Sequence, residues 1–318
     1  MIAVSGDSVF TVDLALPARL PAAATLYARR VSTIGDPLAG HYLTAAQYAD
    51  AFGPSLADYN AVVAWATSAG LGIHERSAGR SVVSVSGHAS TLSRAFHVGF
   101  NYFSNADGTV THVATAQPSL PLGIAAKVAG VIGLSTGKQY AELVQPRPAG
   151  APPKRQAAGD GVGGGYSPAD LRTAYNVPFP AVVGPKEVVA VYEQGGFYSS
   201  DIAAFTKANK LPSVPVKVRA VNGYGGGVSN PNVELETVLD IETLIGINPG
   251  LADILVYEDG DAFNTSLLDS LTAMANDRAA SIVSISYGLD EKIQGTTAMA
   301  AENAVLTQMA AEGQTVFV

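Results

Sequence analysis

VELETVLDIETLIGINPG, residues 233–250, is the stretch whose reading decides the fold. Its apolar residues Leu235, Val238, Leu239, Ile241 and Ile245 recur at helical spacing, and Asn248-Pro249-Gly250 closes it with a strong stop signal. Glu236 and Asp240 are four residues apart and therefore about 40° apart around a helix axis, on one face, whereas Glu234 and Glu242 point elsewhere. Two neighbouring carboxylates cannot both ionise comfortably where water is partly excluded, so one proton is shared and one pKa rises. Such a pair can take up a proton and hold it. The same spacing is common on solvated helix faces, so the pair points to chemistry only in company with other residues.

Around this helix the chain reads as doubly wound. Glu187–Tyr192 (EVVAVY) is a continuous apolar strand, followed by a helix from Ser200 to Asn209 and a second strand, Val214–Val221, before the Gly-rich Gly223–Gly227. After the central helix come a strand Asp253–Tyr257, a helix Thr265–Asp277, a strand Ser281–Ser286, a helix Thr297–Ala311 and the start of a strand, Thr315–Val318. Strands separated by helices of this length imply a parallel sheet with covered faces. The chain stops inside an apolar strand, so it is expected to be a fragment of a longer protein.

The first half has a different pattern. Residues 8–16 alternate like a strand, and Ala22–Val31 has the makings of a short helix. Thr44 caps a helix over Ala45–Phe52, and Ser55 caps another over Leu56–Ser68, with Tyr59, Val62, Val63 and Ala66 inward and Gly70 at its end. Trp65 is read as packing rather than as a binding platform. A strand Ser81–Ser86, a turn at Gly87, a helix Ser90–Phe96 and a hairpin of Gly99–Phe103 with Val110–Ala114 about Asp107-Gly108 complete an α+β sandwich with an antiparallel sheet. Residues 144–165 then turn Pro- and Gly-rich, with Lys154-Arg155 and five glycines in Gly159–Gly165, an exposed linker of the kind that proteases cut. The domains expected are 1–148, a linker at 149–165, and 166–318.

Composition bounds the chemistry. A chain of 318 residues with 47% apolar and 14% charged residues is globular and long enough for about two cores. No apolar run is long enough to span a membrane, and residues 1–30 show no signal-peptide pattern. The absence of cysteine excludes disulfides, thiolate metal sites and a Cys nucleophile. The net charge of −8 divides into 11 Lys/Arg against 8 Asp/Glu in residues 1–155 and 8 against 19 in residues 156–318. The acidic second half argues against nucleic acid, and the mildly basic first half is suited to pair with it. All five histidines, His41, His74, His88, His97 and His112, fall in the first half; either they are solvated or locally bonded, or acid adds charge there and loosens the two domains.

In open parallel sheets, ligands bind where strands end and helices begin. Glu193 sits at one such end, the helix carrying Glu236 and Asp240 begins at another, and Ser286, Tyr287 and Gly288 reach the same rim, where Tyr287 and Gly288 are free to pair with an extended peptide. With no His after residue 155, a Ser-His-Asp triad is impossible in this half, so any base is a carboxylate and works in acid.

These residues carry a resemblance. HYLTAAQYADAFGPSLADYNAVVAWATSAGL (41–71), VSVSGHASTLSRAFHV (83–98) and VAGVIGLS (128–135) resemble the activation domain of a sedolisin-type, kumamolisin-like serine-carboxyl peptidase. YSPADLRTAYNV (166–177), VVAVYEQGGFY (188–198), ELETVLDIE (234–242) and SIVSISYG (281–288) resemble the opening of its mature enzyme. The resemblance implies a ferredoxin-like activation domain on an incomplete subtilisin-like domain, with Glu236 as general base toward a serine, Asp240 holding it through a shared proton and Glu193 extending the network. It implies Ser286, Tyr287 and Gly288 as the substrate-binding strand, a protein or peptide substrate, contact between activation and catalytic domains, and secretion to the extracellular space.

The family's Gly-Asp-Ser-Gly turn and Gly-Thr-Ser motif are absent; Gly6-Asp7-Ser8 is a chance match in the wrong domain and Gly295-Thr296-Thr297 has no serine. The resemblance also implies a calcium site near the missing C-terminus, so no metal ligand or other cofactor is assigned within this chain. Tyr287 stands where the family often has Trp. The expectation is an acid-acting serine-carboxyl endopeptidase precursor whose 318 residues alone are inactive. The alternative is a non-catalytic binding or inhibitory protein on a degenerate scaffold. A nucleotide-binding reading of Gly223–Gly227 fails on spacing.

Overall fold

The computed structural model describes residues 8–104, 110–136, 141–142, 159–161, 165–178, 187–224, 226–228, 231–260 and 265–318. The turn expected at Asp107-Gly108 and most of the linker, residues 144–158 and 162–164, lie outside the described residues. The first stretch of chain forms β1 (Val9–Ala15), α1 (Pro21–Val31), α2 (Ala45–Ala51), α3 (Leu56–Ser68), β2 (Gly72–Arg76), β3 (Val82–His88), α4 (Ala89–Phe96), β4 (Phe100–Ser104), β5 (Val110–Ala114), α5 (Leu122–Ala125) and β6 (Gly130–Ile132). There follow β7 (Ala141–Glu142), α6 (Pro168–Ala174), β8 (Val188–Glu193), α7 (Ser199–Ala208), β9 (Val216–Ala220), α8 (Pro231–Ile247) and β10 (Asp253–Glu258). The chain closes with α9 (Ser266–Asp277), β11 (Ile282–Ile285), β12 (Tyr287–Gly288), α10 (Glu291–Gln294), α11 (Thr296–Ala311) and β13 (Thr315–Phe317).

Two compact units result. One gathers Met1–Ala141, Asp261–Arg278 and Leu289–Val316, the other Glu142–Gly260, Ala279–Gly288 and Phe317–Val318. In the first, an antiparallel sheet in the order β2-β3-β1-β6 carries Val12, Leu14, Val83 and Val85 on one face, against Tyr59, Val62 and Ala66 of α3 and Leu92 and Phe96 of α4. Burying side chains of this size contributes about 1.5–3 kcal/mol each. The helices start where the sequence has caps: Thr44 and Gln47 form a capping box, and Ser55 accepts from the Asp58 amide at 3.0 Å. Trp65 packs edge-on against Phe96 with ring centroids 5.8 Å apart. Helices α9 and α11 belong to this unit as well, and Asn276 of α9 donates to Glu75 Oε1 at 2.8 Å and accepts from the Ala78 amide at 2.7 Å.

Two local features depart from the sequence pattern. Gly87 is not a turn: β3 continues through it to His88, paired with Phe10 of β1. A Cβ at Gly87 would come within 3.0 Å of Leu71 Cδ2, so the glycine serves close packing of strand on core. Residues 72–76 form an edge strand, β2, which charged and polar residues conceal in the sequence.

In the second unit, β8 is paired in parallel on both sides, with β10 and β11, and the five-stranded sheet has the order β13-β11-β8-β10-β9. Val189, Val191, Ile254 and Val256 on one face pack against Ile202 of α7 and Ile241 and Ile245 of α8. The buried side of α8 differs from the apolar stripe expected. Leu235 and Leu239 are 48% and 38% exposed, while Glu236 and Thr237 are buried with Ile241 and Ile245. The helix thus turns an apolar C-terminal half and a polar N-terminal half toward the interior.

Candidate functional site

The parallel register sets the geometry of the site. Glu193, the last residue of β8, is paired directly with Glu258, the last residue of β10, and Tyr192 is paired with Ile285 of β11. The C-terminal ends of three strands therefore bring Glu193, Glu258 and Ser286 to one rim, as expected for a sheet of this kind. Gly195 and Gly196 carry the chain out of β8. A Cβ on Gly195 would meet Val233 of α8 at 2.6 Å and one on Gly196 the backbone of Gly227 at 2.8 Å, so only glycine lets this turn pass so close to the helix start.

Glu193 is fully buried and lies at the centre of the carboxyl groups. Its Oε2 accepts from the Thr237 hydroxyl at 3.1 Å and from the Tyr287 hydroxyl at 3.3 Å. Burial pushes its pKa well above the ordinary carboxyl value; the negative charge of Asp240 adds to this, and that of Glu236 adds less, while the two hydroxyls oppose it. Asp240 is hydrogen-bonded to Glu193 and accepts the Ser286 hydroxyl on Oδ2 at 2.7 Å. Burial raises its pKa, and the bonds from Ser286 and Glu193 pull it back. Glu236 is 3% exposed and close enough to act on Glu193 through space. The structure thus brings Glu193, Glu236 and Asp240 together, with the charges of Asp240 and Glu236 both acting on Glu193. Glu242 points elsewhere, toward Asp201, and burial followed by that neighbour pushes it up to about 7.

The strand end supplies the remaining sequence candidates. Ser286 is engaged with Asp240, and Tyr287, 1% exposed, turns its ring inward, edge-on to Tyr192 at 5.3 Å, so that its hydroxyl serves Glu193. β12, Tyr287–Gly288, pairs with β7 in a two-stranded sheet.

Sequence reasoning passed over three residues. Thr237 sits between the two helix carboxylates and donates to the third. Glu258 is buried at the rim, and desolvation pushes it up to about 7; its Oε2 lies 3.2 Å from where a Cβ on Gly226 would stand. Asp259 accepts from Asn222 Nδ2 at 2.9 Å, which ties the turn after β9 to the end of β10. A signal existed in each case, since a threonine facing inward between acids and a Glu-Asp pair ending an apolar strand both break the pattern around them. Among the described residues no group of three or more His, Asp or Glu side chains is placed to hold a metal ion.

Comparison with known proteins bears on this geometry. Residues 2–136 match the family described as the pro-kumamolisin activation domain. Xanthomonalisin of Xanthomonas sp. (strain T-22) is 27% identical over 98% of this chain and 39% of its own length, and kumamolisin of Bacillus sp. (strain MN-32) is 28% identical over 98% and 57%. Sedolisin of Pseudomonas sp. (strain 101) is 24% identical over 91% of this chain and 49% of its own length. The chain therefore spans between 39% and 57% of the length of these curated relatives. The solved structure of Pseudomonas sedolisin, a serine-carboxyl proteinase complexed with two molecules of pseudo-iodotyrostatin, aligns with a TM-score of 0.40 at 25% identity, over 47% of this chain and 42% of that one.

Proposed function

We propose that this chain, whose residues 2–136 match the pro-kumamolisin activation domain, is part of the precursor of an acid-acting serine-carboxyl endopeptidase of the sedolisin–kumamolisin family. The observation that supports the reading best is the buried carboxyl cluster at the strand ends, with Glu193 in contact with Asp240 and acting on Glu236. In the proposed reaction a serine hydroxyl gives its proton to Glu236 as its oxygen bonds to the peptide carbonyl carbon. The amine leaves with that proton, and water repeats the sequence to release the acyl group. Asp240 and Glu193 hold Glu236 in the state that can accept. A histidine would already be protonated at the pH where such a base works, whereas a carboxyl raised by its neighbours still cycles.

The residues proposed to act are Glu236, Asp240 and Glu193, with Ser286, Tyr287 and Gly288 as the strand that meets substrate. The region before the Pro- and Gly-rich linker is proposed to act as the activation domain, and the substrate as protein or peptide. No described helix is long and apolar enough to cross a membrane. By resemblance to the family, the activity is proposed to lie outside the cell. The serine and the oxyanion residue that the resemblance calls for lie in motifs that these 318 residues do not contain, so the polypeptide alone is proposed to cleave nothing. Incubating the purified chain with a denatured protein at pH 3–7, beside the full gene product, tests this. Cleavage by the full product and none by the 318 residues is expected. Cleavage by neither supports a binding or inhibitory protein.

A further inference from the structure

We propose that Thr237 is a positioning residue of the carboxyl cluster: its hydroxyl, with that of Tyr287, engages Oε2 of Glu193 and so keeps the proton on Oε1. This rests on the carboxyl-base reading above and assigns which oxygen of which group stores the proton.

Thr237 and Tyr287 both end on Oε2, at 3.1 and 3.3 Å, and Oε1 accepts from neither. In a neutral carboxyl the carbonyl oxygen is the good acceptor and the other oxygen is the donor. Two hydroxyls on one oxygen therefore mark Oε2 as the carbonyl side and leave Oε1 to carry the proton. The neighbour able to receive it is Asp240, which is hydrogen-bonded to Glu193 and whose own Oδ2 is already filled by Ser286. The groups facing Glu193 are thus Asp240, Glu236 and Thr237 from α8 and Tyr287 from β12, with Glu258 beside it in β10.

Thr237 is fully buried, and its one hydroxyl hydrogen has three oxygens in reach: Glu193 Oε2, Gly195 O at 3.0 Å and Val233 O at 3.1 Å. Only the carboxyl oxygen gains charge when Glu193 gives up its proton, and hydrogen bonds to an ionised acceptor are the stronger ones. The hydroxyl therefore favours release of the proton toward Asp240. An isosteric valine fills the same space without that preference.

Infrared spectroscopy of the 318-residue chain tests the assignment through the carbonyl stretch of protonated Glu193, identified as the band lost in Glu193→Gln. Thr237→Val is expected to move this band to higher frequency, because its carbonyl loses a donor, and to raise its titration midpoint by about one pH unit. Thr237→Ser, which keeps the hydroxyl, is expected to restore both. A band and midpoint unmoved in Thr237→Val, or no protonated-carboxyl band lost in Glu193→Gln, overturns the proposal. The spectra need no substrate, so a full gene product that cleaves nothing sinks the peptidase reading and not this assignment.

Discussion

Ser286 donates its hydroxyl to Oδ2 of Asp240 at 2.7 Å, joining the end of β11 to the middle of α8 across 46 residues of chain. The bond favours the ionised carboxylate, one of the two interactions that offset burial at Asp240. Ser286→Ala is therefore expected to raise the pKa of Asp240 and, in the full gene product, to carry the acid limb of the pH–rate profile upward by about one pH unit. A profile superimposable on that of the parent would detach Ser286 from the cluster.

The second unit is expected to be more stable in mild acid than at neutrality. Glu242 and Glu258 are pushed up to about 7 and Glu193 and Asp240 are raised as well, so the folded unit binds protons that the unfolded chain has released. The stability that these protons contribute is fully present below the unfolded carboxyl value and is lost as pH rises through about 7. Thermal unfolding monitored from pH 4.5 to 8 should show a midpoint falling with pH, and Glu258→Gln should flatten the fall. A midpoint that climbs over this window would reverse the sign of the argument.

His112 gives the first unit an opposite local dependence. It is 4% exposed, stacked on Phe10 at 3.7 Å and within 3.4 Å of Gly133 O, and burial lowers its pKa below 6.5 despite that carbonyl. The unfolded chain takes up its proton first, so the stability associated with neutral His112 is present above 6.5 and is lost as pH falls through the lowered value. Amide exchange in β5 should quicken between pH 7 and pH 5 relative to β8, after correction for intrinsic rates. Equal protection at both values would count against it.

On α8 the two kinds of apolar residue separate cleanly. Ile245→Ala, at a fully buried position, should cost about 2–5 kcal/mol, and Leu235→Ala, about half exposed, less than about 1 kcal/mol. Denaturant unfolding of both variants checks this, and equal losses would mean that Leu235 is buried too.

How much of this was legible before folding depends on the range of the interaction. Local signals held: the caps at Thr44 and Ser55, the stop at Asn248-Pro249-Gly250 and the continuous apolar run of β8 all act over a few residues. The spacing of Glu236 and Asp240 placed both acids toward the same neighbour, Glu193, but the leucines of α8 misled, because the polar residues between them are the buried ones. The five histidines looked equivalent in sequence, yet His41, His74, His88 and His97 are exposed and only His112 is enclosed by aromatic rings. The hydroxyls on Glu193 come from 44 and 94 residues away, and no periodicity encodes such a pairing.

The most direct measurement is the turnover number of the full gene product with Glu236→Gln, taken on a peptide substrate across pH 3–6. If Glu236 receives the serine's proton, kcat should fall by about 10²–10⁴-fold at every pH, because glutamine keeps the shape of the side chain and cannot accept the proton. A kcat close to that of the parent, with the same pH dependence, would contradict the role given to the carboxyl cluster.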